Sequence, residues 1–108
     1  MPAAVVTLDR SFQALANGTR RAVVERLLKG PATVSELAEP FDMALPSFLE
    51  HLRMLEQSGL VRSAKAGRVR TVRIVPARLA RAATWLERQR TIWEQRLDQL
   101  DTYVKQME

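Results

Sequence analysis

The C-terminal third of the chain constrains the fold most. Leu79, Ala83, Leu86, Arg90, Trp93, Leu97, Leu100, Val104 and Met107 follow one another in alternating steps of four and three. That spacing keeps a seam on one side of a helix for about four heptads. Eight of the nine positions are apolar. A helix of about 30 residues is about 45 Å long, more than the width of a domain this small. The seam therefore points to a partner beyond the chain's own core. A helix folded back on its own domain is the alternative. Trp85 and Ile92 form a second, narrower stripe. Arg90 interrupts the seam, where a polar residue can set register or pair with a carboxylate across a dimer.

Upstream of this helix the punctuation is dense. Leu8, Phe12, Leu15 and Ala16 recur at helical spacing, so a first helix is expected from near Leu8, stopped by Asn17-Gly18. Thr19 can cap a second helix, whose apolar face is Ala22, Val23, Leu27 and Leu28 and whose end is Gly30-Pro31. Thr33-Val34-Ser35-Glu36 is a capping box. Pro40 keeps the third helix short, and a turn over Phe41–Ala44 follows. A fourth helix is expected from Leu45-Pro46 to Ser58-Gly59. Its inner face is Leu45, Phe48, Leu52 and Leu55, flanked by Leu49. Ser47, Glu50, His51, Arg53, Met54 and Gln57 lie further out.

The period then changes from helical to alternating. Leu60–Lys65 and Val69–Ile74 are rich in β-branched residues and flank Ala66-Gly67, which reads as a hairpin with a basic tip. Pro76 opens the last helix.

Charge singles out the same region. The chain carries 17 Lys+Arg and 12 Asp+Glu, a net +5. Residues 45–75 hold Arg53, Arg62, Lys65, Arg68, Arg70 and Arg73 against Glu50 and Glu56, so four of the five excess charges sit there. A local cationic excess is the footprint of a polyanion binder, and a solvated pair of strands is the plainer reading. With no Cys and one His, the chain cannot build a disulfide framework, a thiolate zinc site or a multi-histidine metal site. No metal or other cofactor is expected. No nucleophile–base pair or phosphate-binding loop is present, so an enzyme is not expected. Without a signal peptide or a long apolar run, the expectation is a soluble cytoplasmic protein with no membrane association.

Two helices joined by a turn, followed by a β-wing, make a winged helix-turn-helix. The chain resembles the ArsR/SmtB family of bacterial winged-helix repressors. The resemblance lies in Phe12–Arg21, Val34–Ala38, Pro46, His51–Glu56, Ser58–Val61 and the Gly67-Arg68 of the wing. It implies a mainly α fold of about five helices plus a two-stranded wing. Residues 1–108 would be one domain, with a DNA-binding core at 8–75 and a long dimerisation helix at 76–108. It also implies a homodimer, joined through its first and last helices, that represses a promoter near the bacterial nucleoid. Half-site centres on a palindromic operator would lie about 10 bp apart. A winged-helix module that docks on protein without binding DNA is the alternative.

The resemblance sorts the candidate residues. Ser47, Glu50, His51 and Arg53, with Pro46, are the candidates for the major groove. Arg62, Lys65, Arg68, Arg70 and Arg73 are the candidates for the backbone. Strand alternation puts Arg70 on the face opposite Val69, Thr71 and Arg73, so these five cations cannot all reach one duplex. Arg20, beside Arg21 at the start of the second helix, is a further phosphate candidate. Phe12 joins Leu79, Ala83, Leu86, Arg90, Trp93, Leu97, Leu100 and Val104 as the expected dimer interface. Trp85 and Trp93 could anchor that interface or line an effector pocket. The family's cysteine pair and histidine metal ligands have no counterpart here, and Glu87, Glu94, Asp98 and Asp101 read as a solvated face. The sequence names no effector.

Overall fold

Five helices and a small antiparallel sheet account for most of residues 3–107, which the computed structural model describes. They are α1 (Ala3–Leu15), α2 (Gly18–Leu27), β1 (Ala32–Thr33), α3 (Val34–Ala38), α4 (Leu45–Gln57), β2 (Val61–Ala66), β3 (Val69–Ile74) and α5 (Pro76–Gln106). The winged helix-turn-helix expected from the sequence is present. Its strand order is β1-β3-β2.

Three local features depart from the sequence reading. First, α1 begins at Ala3 rather than near Leu8. Its first turns lie along α5, where Ala3, Thr7 and Leu8 share a groove with Ala77, Ala80 and Thr84. That support sustains helix through the β-branched Val6. Second, Asn17 rather than Thr19 caps α2, its side-chain oxygen accepting from the Arg20 amide at 3.2 Å. Third, the sheet has a third strand. Ala32 pairs with Val72 and Thr33 with Thr71. Thr33 also closes the capping box with Glu36, so one residue ends a strand and starts a helix.

The core lies between α2, α3, α4 and the base of the wing. Phe48, Leu27, Leu37, Leu55, Leu60, Val23, Val61 and Val72 are its largest fully buried side chains. Phe41 stacks on Phe48 at 5.5 Å between centroids. After α4 the chain turns sharply at Gly59, whose φ of +80° an L side chain rarely adopts. The Ser58 hydroxyl holds this corner, donating to Leu55 O and accepting from Leu60 N. The wing closes through the two residues Gly67 and Arg68. Positive φ occurs at Gly67 alone, the pattern of a II′ hairpin.

Helix α5 leaves this body behind. Ala82 is buried and Leu79 packs against the core, but nearly every later residue is exposed. The molecule measures 70 × 32 × 22 Å, with a radius of gyration of 18.9 Å. A compact chain of this length would have a radius near 13 Å. Its accessible surface is 7970 Å², about 1,900 Å² above that of a compact monomer. Among the described residues, no helix is long and apolar enough to cross a membrane.

Candidate nucleic-acid interface

Helix α4 presents the candidate surface. It advances about 100° per residue. Phe48, Leu52 and Leu55 turn inward and are buried. The opposite side carries Pro46, Glu50 and Arg53, all exposed. Ser47, Met54 and His51 fall on the flank toward α2. Leu45, Leu49 and Glu56 fall on the flank toward the wing. The inner face expected for Leu45, flanked by Leu49, is not what folds. Both are exposed, at 55% and 44%. The three core positions fill the space beneath α4, which leaves both leucines outside.

Arg20 is also placed differently from its sequence reading. It is buried, with 8% of its surface accessible. Its guanidinium donates to Ala14 O at 2.7 Å and Gln13 O at 3.2 Å, satisfying carbonyls at the C-terminal end of α1. The same group reaches α4, 3.0 Å from His51 Nδ1 and 3.3 Å from Met54 Sδ. Buried, with four contacts made inside the protein, Arg20 is a clamp between α1 and α4 and leaves the set of phosphate candidates. A guanidinium has no acceptor, so in this contact His51 Nδ1 is the accepting atom. The His51 ring is half-buried. Arg21 is the exposed member of the pair, donating to Leu15 O at 2.9 Å.

Glu50 and Arg53 form a forked ion pair on the outward face, with Arg53 Nε 3.0 Å from Glu50 Oε2 and Nη2 bonded to Oε1. The hydrogen bonds from Arg53 hold the Glu50 carboxyl below the usual glutamate range. The two candidates thus form one unit in the free protein, with the charge of Arg53 offset.

The wing sorts its five cations by strand parity. Lys65 stands opposite Arg70, on the sheet face that further down carries Ser63, Val72, Val61 and Ile74. Arg62 stands opposite Arg73 on the other face. Lys65, Arg68 and Arg70 line a cleft with Leu49, Thr33, Val34 and Ser35. Arg70 donates to the Ser63 hydroxyl at 2.8 Å, and that hydroxyl donates to Glu56 of α4. The wing base is therefore tied to the helix it accompanies. Arg62 and Arg73 lie away from α4.

The expected interface residues divide similarly. Leu86, Trp93, Leu97, Leu100 and Val104 are all roughly half exposed or more, and Ala83 is exposed beside the buried Ala82. Phe12 packs edge-on against Trp85 of its own chain, 5.5 Å between centroids. Leu79 serves the chain's own core. Arg90 pairs along its own helix, 3.0 Å from Glu94 and 3.7 Å from Glu87. Arg96 lies 5.8 Å from the Trp93 ring centroid.

Residues 15–64, from the end of α1 into β2, match a family of helix-turn-helix domains. The fold superposes on the crystal structure of an ArsR family transcriptional regulator with a TM-score of 0.79 at 53% identity, covering 87% of this chain and 97% of that one. This chain is an ArsR family transcriptional regulator. It is 45% identical over 80 residues to the HTH-type transcriptional regulator Rv2034 of Mycobacterium tuberculosis (strain ATCC 25618 / H37Rv), covering 74% of this chain and 75% of that protein. It is 30% identical over 60 residues to the transcriptional repressor SdpR of Bacillus subtilis (strain 168), covering 56% and 67%. The homodimeric winged helix-turn-helix DNA-binding domain of Mb0332 from Mycobacterium bovis superposes with a TM-score of 0.66 at 25% identity, covering 83% and 85%.

Proposed function

We propose that this ArsR family regulator is a homodimeric, sequence-specific DNA-binding repressor. One observation carries the reading. The outward face of α4 is free and polar, and the cleft beside it is lined by Lys65, Arg68 and Arg70. An exposed helix of this width fits a major groove about 12 Å across, and the wing cations meet the flanking phosphates. Ser47, Glu50, His51 and Arg53 are the proposed base-edge or adjacent phosphate contacts. Arg62 and Arg73, on the far face of the wing, have at most a long-range electrostatic role.

The dimer rests on the α5 seam. The excess surface of about 1,900 Å² per chain, about 3,800 Å² for two, leaves room for a large homodimer interface, and Mb0332 is homodimeric. Trp93, Leu97, Leu100 and Val104 form its proposed centre, with Leu86, Ala83 and Arg90 toward the domain. A two-fold dimer requires a near-palindromic operator with half-sites about 10 bp apart, one helical turn. The repressor role follows the likeness to SdpR. The reading places the protein in the cytoplasm, at the nucleoid, with no catalytic role and no metal.

The test is titration against the DNA upstream of its own gene and against unrelated DNA, at 50 and 200 mM salt. Six phosphate contacts across the dimer predict about a thousandfold loss of affinity between those salts. Arg68→Ala/Arg70→Ala should weaken binding and flatten that dependence. A folded dimer that binds no DNA at low salt would overturn the reading in favour of protein docking.

A further inference from the structure

Leu45 and Leu49 are apolar residues that the core does not use, yet they sit on the helix proposed to enter DNA. Four residues apart, they stand one above the other on the wing-side flank of α4. Leu49 borders the cleft between α4 and the wing tip. Lys65, Arg68 and Arg70 line the same cleft. This is an apolar strip edged by cations, so its occupant must be anionic outside and apolar at the point of contact. Duplex DNA meets both demands in one way. In the major groove the apolar group presented at the base edges is the C5-methyl of thymine.

We propose that Leu45 and Leu49 are specificity-determining residues that pack on thymine methyl groups in each half-site. The inference rests on the DNA-binding reading above and adds a base to it. The two leucines read thymine on the wing side of the positions met by Glu50 and Arg53. Leu49 lies beside Arg53 on the helix surface, so a thymine read by Leu49 adjoins the base or phosphate that Arg53 reaches.

The experiment uses the full-length protein and a preferred duplex selected from a random pool. Each thymine is replaced singly by deoxyuridine, which removes the methyl but keeps the base pair and the phosphate. Binding is measured for the wild type, Leu45→Ala and Leu49→Ala. Alanine keeps helix propensity at these exposed positions, and circular dichroism checks that each variant stays folded. If either alanine variant unfolds, Leu→Gln at the same position replaces it. At one or two thymines per half-site, the wild type should lose about fourfold in affinity on losing the methyl. The variant lacking the facing leucine should lose less than twofold, with an unchanged salt dependence. A preferred duplex in which no thymine is sensitive overturns this inference and leaves the DNA-binding reading intact. So does a deoxyuridine penalty that both variants keep in full. Absence of any preferred duplex overturns both.

Discussion

Truncating Arg20 separates two accounts of the same residue. By position it resembles a phosphate ligand, but the structure makes it an internal clamp. Arg20→Ala removes the Arg20 donor from Ala14 O and His51 Nδ1 and leaves Gln13 O with the Ala16 amide. A hydrogen bond from a charged donor contributes about 1.5–3 kcal/mol. Water can re-enter at the α1 end, so two such bonds at the low end give a loss of about 3 kcal/mol. The sulfur contact to Met54 adds little. With a urea slope near 1.5 kcal/mol/M, the unfolding midpoint should fall by about 2 M. The assay is urea unfolding followed by circular dichroism at fixed protein concentration, because dimer formation makes stability concentration-dependent. Arg20→Lys should recover less than half the loss, since one ammonium cannot span both helix ends as a planar fork does. The salt dependence of DNA binding, measured on the folded variant, should keep its slope. A stability loss under about 1 kcal/mol together with a slope lower by one phosphate per chain would refute the clamp and restore Arg20 to the DNA face.

Leu97→Asp should dissociate the dimer while leaving the domain folded, since Leu97 is 58% exposed in the single chain. Burying a carboxylate in place of each leucine should weaken association at least a thousandfold, about 4 kcal/mol, measured by sedimentation equilibrium. Arg90→Leu should tighten the dimer without changing its stoichiometry, because the ion pairs it gives up run along its own exposed helix and contribute little. Glu50→Gln should free Arg53 and steepen the salt dependence of non-specific DNA binding by about one unit per chain. In the wild type, NMR titration should find the Glu50 carboxyl ionising below the usual glutamate range, and Arg53→Gln should return it toward that range. The sign follows from the depressed value: the pair is complete at neutral pH and is lost as the pH falls through the lowered folded-state value.

Legibility in the sequence tracks how local each feature is. The α5 seam, the Thr33–Glu36 capping box, the Pro46 start of α4 and the Gly67 turn are each set by residues within a few positions of one another, and all are present. What was misread depends on distant partners. β1 is two residues long and exists only because β3 offers an edge. The extra turns of α1 need α5 beside them. Arg20 looks like any surface arginine until the end of α1 and two residues of α4, 31 and 34 positions on, gather round it. Five apolar residues on α4 suggested one broad buried face, and only the packed core decides that three suffice. Of the wing cations, alternation showed that they must divide. Cross-strand pairing with β2 shows that Lys65 and Arg70 share the α4 side.

The exposed seam of α5 also bears on dosage. Dimer formation obeys mass action, so below the dimer dissociation constant the amount of dimer rises as the square of total chain. Occupancy of a two-half-site operator by the proposed dimer would inherit that square. Halving the supply of protein would then cut the repressing species about fourfold, so repression would lift more abruptly than the protein disappears. If the proposed dimer holds most of its contacts on this one protruding helix, a threshold response would be built into the chain, and any change along that helix would reset it.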